Sequence, residues 1–163
     1  RARGARGQAW SVTDAAGLPP LSAYVHLPWC IRKCPYCDFN SHEAGGELPE
    51  TDYLAALRRD LEAQTQMVAS RPLRSVFFGG GTPSLISAAT VDAILRALEE
   101  AFGFEPGIEI TLEANPGASD ARRFTGYREA GVNRLSIGAQ SFDDAQLRRL
   151  GRIHAAHEST RWR

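Results

Sequence analysis

Apolar and polar positions switch repeatedly between two periods along this chain. Residues 21–27 alternate, with Tyr24 and Val25 inside the run, and predict a short β-strand. Tyr53, Leu54, Leu57 and Leu61 then recur at helical spacing, with Thr51 as the expected N-cap and Pro72 as the stop. Residues 73–78 form a compact apolar run that predicts a second strand, broken by Gly79-Gly80-Gly81-Thr82-Pro83-Ser84. Ser87 or Thr90 is placed to cap a second helix whose apolar face is Val91, Ile94, Leu95 and Leu98, and Gly103 and Pro106 are expected to end it. A third strand is predicted over 108–112, followed by Glu113-Ala114-Asn115-Pro116-Gly117, then a helix over 120–130 with Gly131 at its C′ position. A fourth strand over 133–137 exits through Gly138-Ala139-Gln140-Ser141 into a helix over 143–150 that Gly151 terminates.

Strand followed by helix, four times over, implies an α/β fold of parallel βαβ units with right-handed crossovers. In such sheets ligands collect where strands end and helices begin. Each unusual motif sits at such a place: cysteines after strand one, glycines after two, Glu113 after three, Gln140 after four. Four separate loops should therefore line one rim.

Composition sets the outer limits. A chain of 163 residues with 43% apolar content supports one domain of ordinary size. Lys plus Arg equals Asp plus Glu at 19 each, which gives no electrostatic footprint for nucleic acid. No apolar run approaches the roughly 20 residues that span a bilayer, and no secretory h-region precedes the first strand, so no transmembrane segment and a cytoplasmic location are expected. Residues 1–20 read as a flexible N-terminal arm: 1–8 are rich in Arg, Gly and Ala without periodicity, and Leu18-Pro19-Pro20 closes the stretch. An Arg-rich start also has the composition of an organelle transit peptide. Residues 21–163 form the expected core domain. Trp10, Trp29 and Trp162 show no stacking pattern.

Candidate chemistry concentrates in Cys30-Ile31-Arg32-Lys33-Cys34-Pro35-Tyr36-Cys37, which holds all three cysteines of the chain. Thiolates suit zinc, copper(I) or iron–sulfur clusters. Structural zinc usually takes four ligands, often as two separated pairs. Here one tight trio stands alone, and His26, Asp38 or His42 would have to complete a zinc site. An odd thiol count argues against a disulfide. The triple glycine offers main chain that a ligand can approach closely, although by itself it is most simply a tight turn. It lacks both the G-x-G-x-x-G pattern and the G-K-[ST] ending of nucleotide loops. Glu113 is a carboxylate at a strand end, able to accept hydrogen bonds from ribose hydroxyls or an amino group. Tyr24 and His26 alternate with Val25 and so share one face of their strand.

The run Tyr24-Val25-His26-Leu27-Pro28-Trp29-Cys30, with Cys37-Asp38-Phe39-Asn40-Ser41, resembles the radical S-adenosylmethionine (SAM) enzymes. Within them it resembles the oxygen-independent coproporphyrinogen III oxidase family and its heme-chaperone branch, HemW. The oxidases carry a further cysteine two residues after the third ligand, where this chain has Phe39. Gly-Gly-Gly-Thr-Pro, Glu-Ala-Asn-Pro and Leu150-Gly151-Arg152-Ile153-His154 also match. The resemblance implies a TIM-like partial barrel with four βα units present, and a 4Fe–4S cluster on Cys30, Cys34 and Cys37 whose fourth iron takes SAM. It implies Tyr24, Gly80, Gly81, Thr82 and Glu113 as SAM contacts, and Tyr36, Gln140 and Arg152 beside a second SAM-like ligand. His26 falls near the cluster, and no residue is assigned as catalytic.

The resemblance covers residues 21–154, and 157–163 depart from it. In the family more barrel strands and a further domain follow, and the chaperone's heme-ligating His lies there. The chain therefore reads as an N-terminal portion of a truncated core domain. The function implied is heme transfer to an acceptor protein, with an electron donor for the cluster. The alternatives are oxidative decarboxylation of coproporphyrinogen III in porphyrin biosynthesis, and a zinc-binding interaction module.

Overall fold

The structure, a computed structural model, describes residues 17–68 and 71–160. Residues 1–16 of the expected arm, together with Trp10 and Trp162, lie outside them. The elements run β1 Leu21–Leu27, β2 Trp29–Cys30, β3 His42–Glu43, α1 Glu50–Thr65, β4 Leu73–Gly80, α2 Ala88–Phe102, β5 Phe104–Ala114, α3 Ala118–Ala130, β6 Arg134–Ile137, α4 Asp144–Arg149 and α5 Ala156–Thr160. The main sheet has the order β1-β4-β5-β6 and every pair in it is parallel. This is the α/β pattern of successive crossovers that the two alternating periods imply.

Alternation divides the sheet into two unlike faces. Val25, Leu27, Val76, Phe78, Ile110, Leu112 and Ala114 are buried and pack with Val91, Ile94, Leu95 and Leu98 of α2 into one core. The intervening positions form the other face, where Tyr24 pairs in register with Phe77, Phe77 with Thr111, and Thr111 with Arg134. That face is aromatic and polar, and Tyr24 is 59% exposed on it. A parallel sheet ordinarily covers both faces with apolar side chains. Among the described residues, no strand pairs with the far side of β6.

Element boundaries depart from expectation in ways that packing explains. α1 starts at Glu50 after Pro49, without a side-chain cap, so Thr51 lies inside the helix. Glu50 is instead drawn across to the start of α2. Its carboxylate accepts from Ser87 N at 2.9 Å, from Ser87 Oγ at 2.6 Å, and from Thr90 Oγ1. Ser87, not Thr90, is the α2 N-cap, and its Oγ accepts from Thr90 N at 3.1 Å. Pro106 does not delay β5, which starts at Phe104. The register jumps from Leu73–Phe104 to Ser75–Glu109, so a bulge absorbs Pro106 and Gly107, the latter at φ 77°. α3 begins two residues earlier than expected, and Gly131 at φ 114° closes it as foreseen.

Three elements have no periodic signal. β2 and β3 pair in parallel, Trp29 with His42 and Cys30 with Glu43. α5 forms where no helix is expected. Its start is held by Ala155 N donating to Glu158 Oε2 at 2.8 Å and Ala156 N donating to Asp144 Oδ1 at 2.7 Å.

Candidate iron–sulfur and SAM site

The cysteine loop is a closed unit, stitched by its own residues. β2 and β3 bring its ends together, with His42 N donating to Pro28 O at 2.7 Å and Ala44 N to Cys30 O at 2.8 Å. Lys33 supplies the inner stitches. Its backbone N–H donates to Glu43 Oε1 at 2.9 Å, and its ammonium donates to Ser41 O at 3.0 Å and Phe39 O at 3.4 Å. Cys37 N donates to Cys34 O at 3.0 Å, which fixes the turn between the last two thiols. Sequence reading passes over Lys33, because a lysine inside a loop carries no periodic signal.

Gly80 and Gly81, besides lining the cavity described below, bring chain against chain. Gly81 N donates to Leu27 O and Thr82 N to Trp29 O, both at 2.7 Å. Two of the N–H groups expected to meet a ligand are thus engaged in holding the cysteine loop against β4. A Cβ on Gly80 would come within 2.7 Å of Leu27 O, and one on Gly81 within 2.5 Å of Trp29 O. Gly80 also sits at φ 117°, a conformation that glycine adopts without steric cost. The close approach here is of chain on chain.

The expected rim exists. A cavity of about 380 Å³ is lined by Cys30, Cys34 and Cys37 from the first loop and by Gly80, Gly81 and Thr82 from the second. Glu113 joins from the third loop, Gln140 and Arg152 from beyond β6, and Tyr36 from between two cysteines. Tyr24 and His26 do share one strand face, but they stand beside this cavity and not in its lining. His26 packs against Gly80 and its Nε2 meets Asn40 O at 2.8 Å, so the zinc alternative loses it as a ready fourth ligand. Asp38 and His42 are exposed. Two larger hollows, of about 500 and about 720 Å³, hold none of the thiols.

One network crosses the rim. Asn115 Nδ2 donates to Thr82 Oγ1 at 3.3 Å, and Asn115 Oδ1 accepts from Arg152 Nη2 at 2.6 Å. Arg152 Nη2 also donates to Gly138 O at 2.8 Å, while Nη1 donates to Cys34 Sγ at 3.6 Å. Gly151, at φ 70°, lets this segment close on the cysteine loop, where a Cβ would lie 2.9 Å from Pro35 Cδ. Asn115 is the functional candidate that sequence reasoning missed. Its signal was its place at a strand end, two residues after Glu113.

Burial sets the ionisation of the surrounding groups. It pushes the Glu113 carboxyl above the usual carboxylate range, opposed by the Gly80 backbone N–H. Burial and then the Glu113 charge raise Tyr24. Burial also raises Tyr36, as does its hydrogen bond to Cys34, while Arg152 pulls the other way. Tyr53, which donates to His26 O at 2.5 Å, is pushed up to about 12 by burial and then by Tyr24. Gln140 is the described non-glycine residue at positive φ, 63°, in the loop after β6. Such conformations cost of order 1–3 kcal/mol and cluster at functional sites.

Residues 24–161 match the family model of the radical SAM superfamily. The chain belongs to that superfamily. This radical SAM chain is 53% identical over 146 residues to the heme chaperone HemW of Haemophilus influenzae, covering 87% of the chain and 38% of that protein. It is 49% identical to HemW of Escherichia coli, with 88% and 38% covered. A bovine protein, radical S-adenosyl methionine domain-containing protein 1, mitochondrial, is 46% identical, with 90% and 33% covered. The structure superposes on that of Escherichia coli coproporphyrinogen III oxidase (HemN), described as a radical SAM enzyme, with TM-score 0.75 and 30% identity. That match covers 85% of this chain and 32% of the oxidase. The radical SAM chain thus spans 38% of the HemW relatives it matches. No helix among the described residues is long and apolar enough to cross a membrane.

The residues present fit an iron–sulfur cluster. All three thiols are free and line one cavity, a soft donor set of the kind such clusters take. Among the described residues, no three Cys, His, Asp or Glu side chains converge as ligands of one ion. In a cluster each thiolate takes its own iron, so the thiols need to share a space and not a point.

Proposed function

We propose that this chain is the core of a HemW-like heme chaperone. It binds a 4Fe–4S cluster through Cys30, Cys34 and Cys37, binds SAM along the adjoining rim, and acts in heme transfer to an acceptor protein. The observation that carries the reading is the meeting of three thiols with Gly80, Thr82, Glu113 and Arg152 around one cavity. The chaperone branch is supported by Phe39 in place of the oxidases' further cysteine and by the HemW relatives. Three unpaired thiols within eight residues suit a reducing compartment, so we assign the protein to the cytoplasm.

Bound cluster and SAM supply one-electron chemistry, which belongs to the cofactors; the protein binds, orients and shields. Cys30 is buried beneath Gly81, while Cys34 and Cys37 are half-buried. Glu113, half-buried with Gly80 N–H at its carboxylate, accepts hydrogen bonds from ribose hydroxyls or an amino group. Arg152 presents a fixed positive charge to the same space. Phe39, 62% exposed, and Tyr36, 49% exposed, edge the opening, where they cover bound cofactor from water.

Anaerobic reconstitution tests the cofactors. A broad brown absorption shoulder is expected, with an EPR signal on reduction that changes when SAM is added. One tightly bound zinc with no iron would overturn this reading and leave the zinc module. Incubating the reconstituted protein with heme and an apo-acceptor tests the branch. The likeness to HemN favours a second reading, oxidative decarboxylation of coproporphyrinogen III. Anaerobic product formation from that porphyrinogen, without heme transfer, would select it.

A further inference from the structure

Arg152 is placed by family resemblance at a SAM-like ligand, yet its guanidinium is already committed within the protein. Nη2 has both hydrogens engaged, one by Asn115 Oδ1 at 2.6 Å and one by Gly138 O at 2.8 Å. Nε is buried and makes no hydrogen bond among the described residues, so the Nη2 pair and the neighbouring Tyr36 hydroxyl, which also bonds Cys34, hold the guanidinium plane. In that plane Nη1 points at Cys34 Sγ, 3.6 Å away. Asn115 is itself held by Nδ2 donating to Thr82 Oγ1 at 3.3 Å. A carboxamide is suited to this post, because it accepts on one side and donates on the other.

We propose that Asn115 is a positioning residue that aims Arg152 at Cys34 and thereby raises the reduction potential of the bound cluster. The inference rests on the cluster reading above. Hydrogen bonds to the ligand sulfurs and local charge are among the levers that set such potentials. Reduction adds negative charge to the cluster, and a guanidinium, which stays protonated at all working pH values, stabilises the reduced form. Without Asn115 the Nη2 pair loses its shorter bond, Gly138 O and Tyr36 hold the guanidinium less tightly against the sulfur, and the reduced form loses part of that support.

The test compares wild type, Asn115→Ala, Arg152→Met and the double variant as reconstituted proteins, all without SAM, so that cofactor affinity does not enter. Iron content, the midpoint potential and the EPR g-values of the reduced cluster are measured for each. Iron content is expected to be unchanged. Asn115→Ala should lower the potential and alter the g-values, and Arg152→Met should lower the potential at least as far. The double variant should match Arg152→Met alone, since Asn115 acts through Arg152. If Asn115→Ala is too unstable to load, Asn115→Ser replaces it on the same terms. A loaded Asn115 variant with wild-type potential overturns the inference, as do shifts that add in the double variant. Loss of iron from both Asn115 variants also overturns it, making the residue a structural prop. Wild-type protein that takes up no iron overturns the cluster reading and this inference together. A loaded wild type with an unmoved variant overturns this inference only.

Discussion

Gly81 backs directly onto Cys30. A Cβ on the glycine would lie 3.0 Å from Cys30 Sγ and 2.5 Å from the carbonyl oxygen of the neighbouring Trp29. Since the second contact is to backbone, no side-chain rotation relieves it. Gly81→Ala should therefore push the cysteine loop away from β4. Overpacking of this kind costs about 1–3 kcal/mol. The expected outcome is a lower denaturant midpoint together with reduced iron content after reconstitution. A Gly81→Ala variant that folds and loads iron like wild type would show that the loop tolerates the displacement.

Each of Cys30, Cys34 and Cys37 should be indispensable to the cluster, because the chain has no fourth cysteine to substitute. Cys30→Ala, Cys34→Ala and Cys37→Ala are each expected to lose the visible absorption of the reconstituted protein. Cys37→Ala should retain wild-type far-UV circular dichroism, since Lys33 and Glu43 close the loop without it. Retention of a full iron complement by any of the three would remove that residue from the ligand set.

Glu113 should trade stability for binding. Burial raises its folded pKa, so the folded protein holds that proton more tightly than the unfolded chain does. Its contribution to stability is then greatest at acid pH and is lost as pH rises through the folded value. Glu113→Gln, which does not titrate, is expected to melt above wild type at neutral pH in the absence of SAM. The gap should close on acidification to about pH 4, the unfolded carboxyl range. SAM affinity should fall roughly tenfold or more, the usual weight of a hydrogen bond to a charged group. Melting curves across pH and a SAM titration check both halves. Equal melting at neutral pH would mean that the carboxylate is not held at a cost.

His154 should give the fold an acid sensitivity of opposite sign. It is buried, its Nε2 lies 3.0 Å from Ala139 O, and burial holds its pKa below the usual imidazole value. Below about pH 6.5 the unfolded chain takes up a proton that the folded one resists. The stability concerned is present above that value and is lost as pH falls toward the folded one. His154→Gln should flatten the decline in melting temperature below pH 6.5. An unchanged slope would assign the acid sensitivity to other groups.

Much of the architecture was legible because it is local. Four strand–helix repeats follow from apolar spacing within windows of a few residues, and Ser87 and Gly131 mark helix ends through backbone chemistry of their own. The placing of every unusual motif after a strand foretold one rim, and the cavity that joins the cysteines to Glu113 and Arg152 is that rim. Thr51 misled because its clear local preference is outweighed by distant partners, and the third strand starts earlier than its apolar run for a similar reason of pairing. Glu50 finds Ser87 and Thr90 across 37 and 40 positions, and the bulge between β4 and β5 absorbs Pro106.

What the sequence determined by itself was therefore the order of elements, the clustering of three thiols in one loop, and the motifs that mark the radical SAM superfamily. Tertiary structure decided what those motifs touch. That Gly81 backs onto Cys30, that Lys33 closes the cysteine loop, and that Arg152 reaches both Asn115 and a thiol 118 positions away appear only once the strands are aligned. Periodicity records which side of its own element a residue faces. The partner a polar group meets across the rim is set by sheet register and loop closure, which are collective properties of the folded chain.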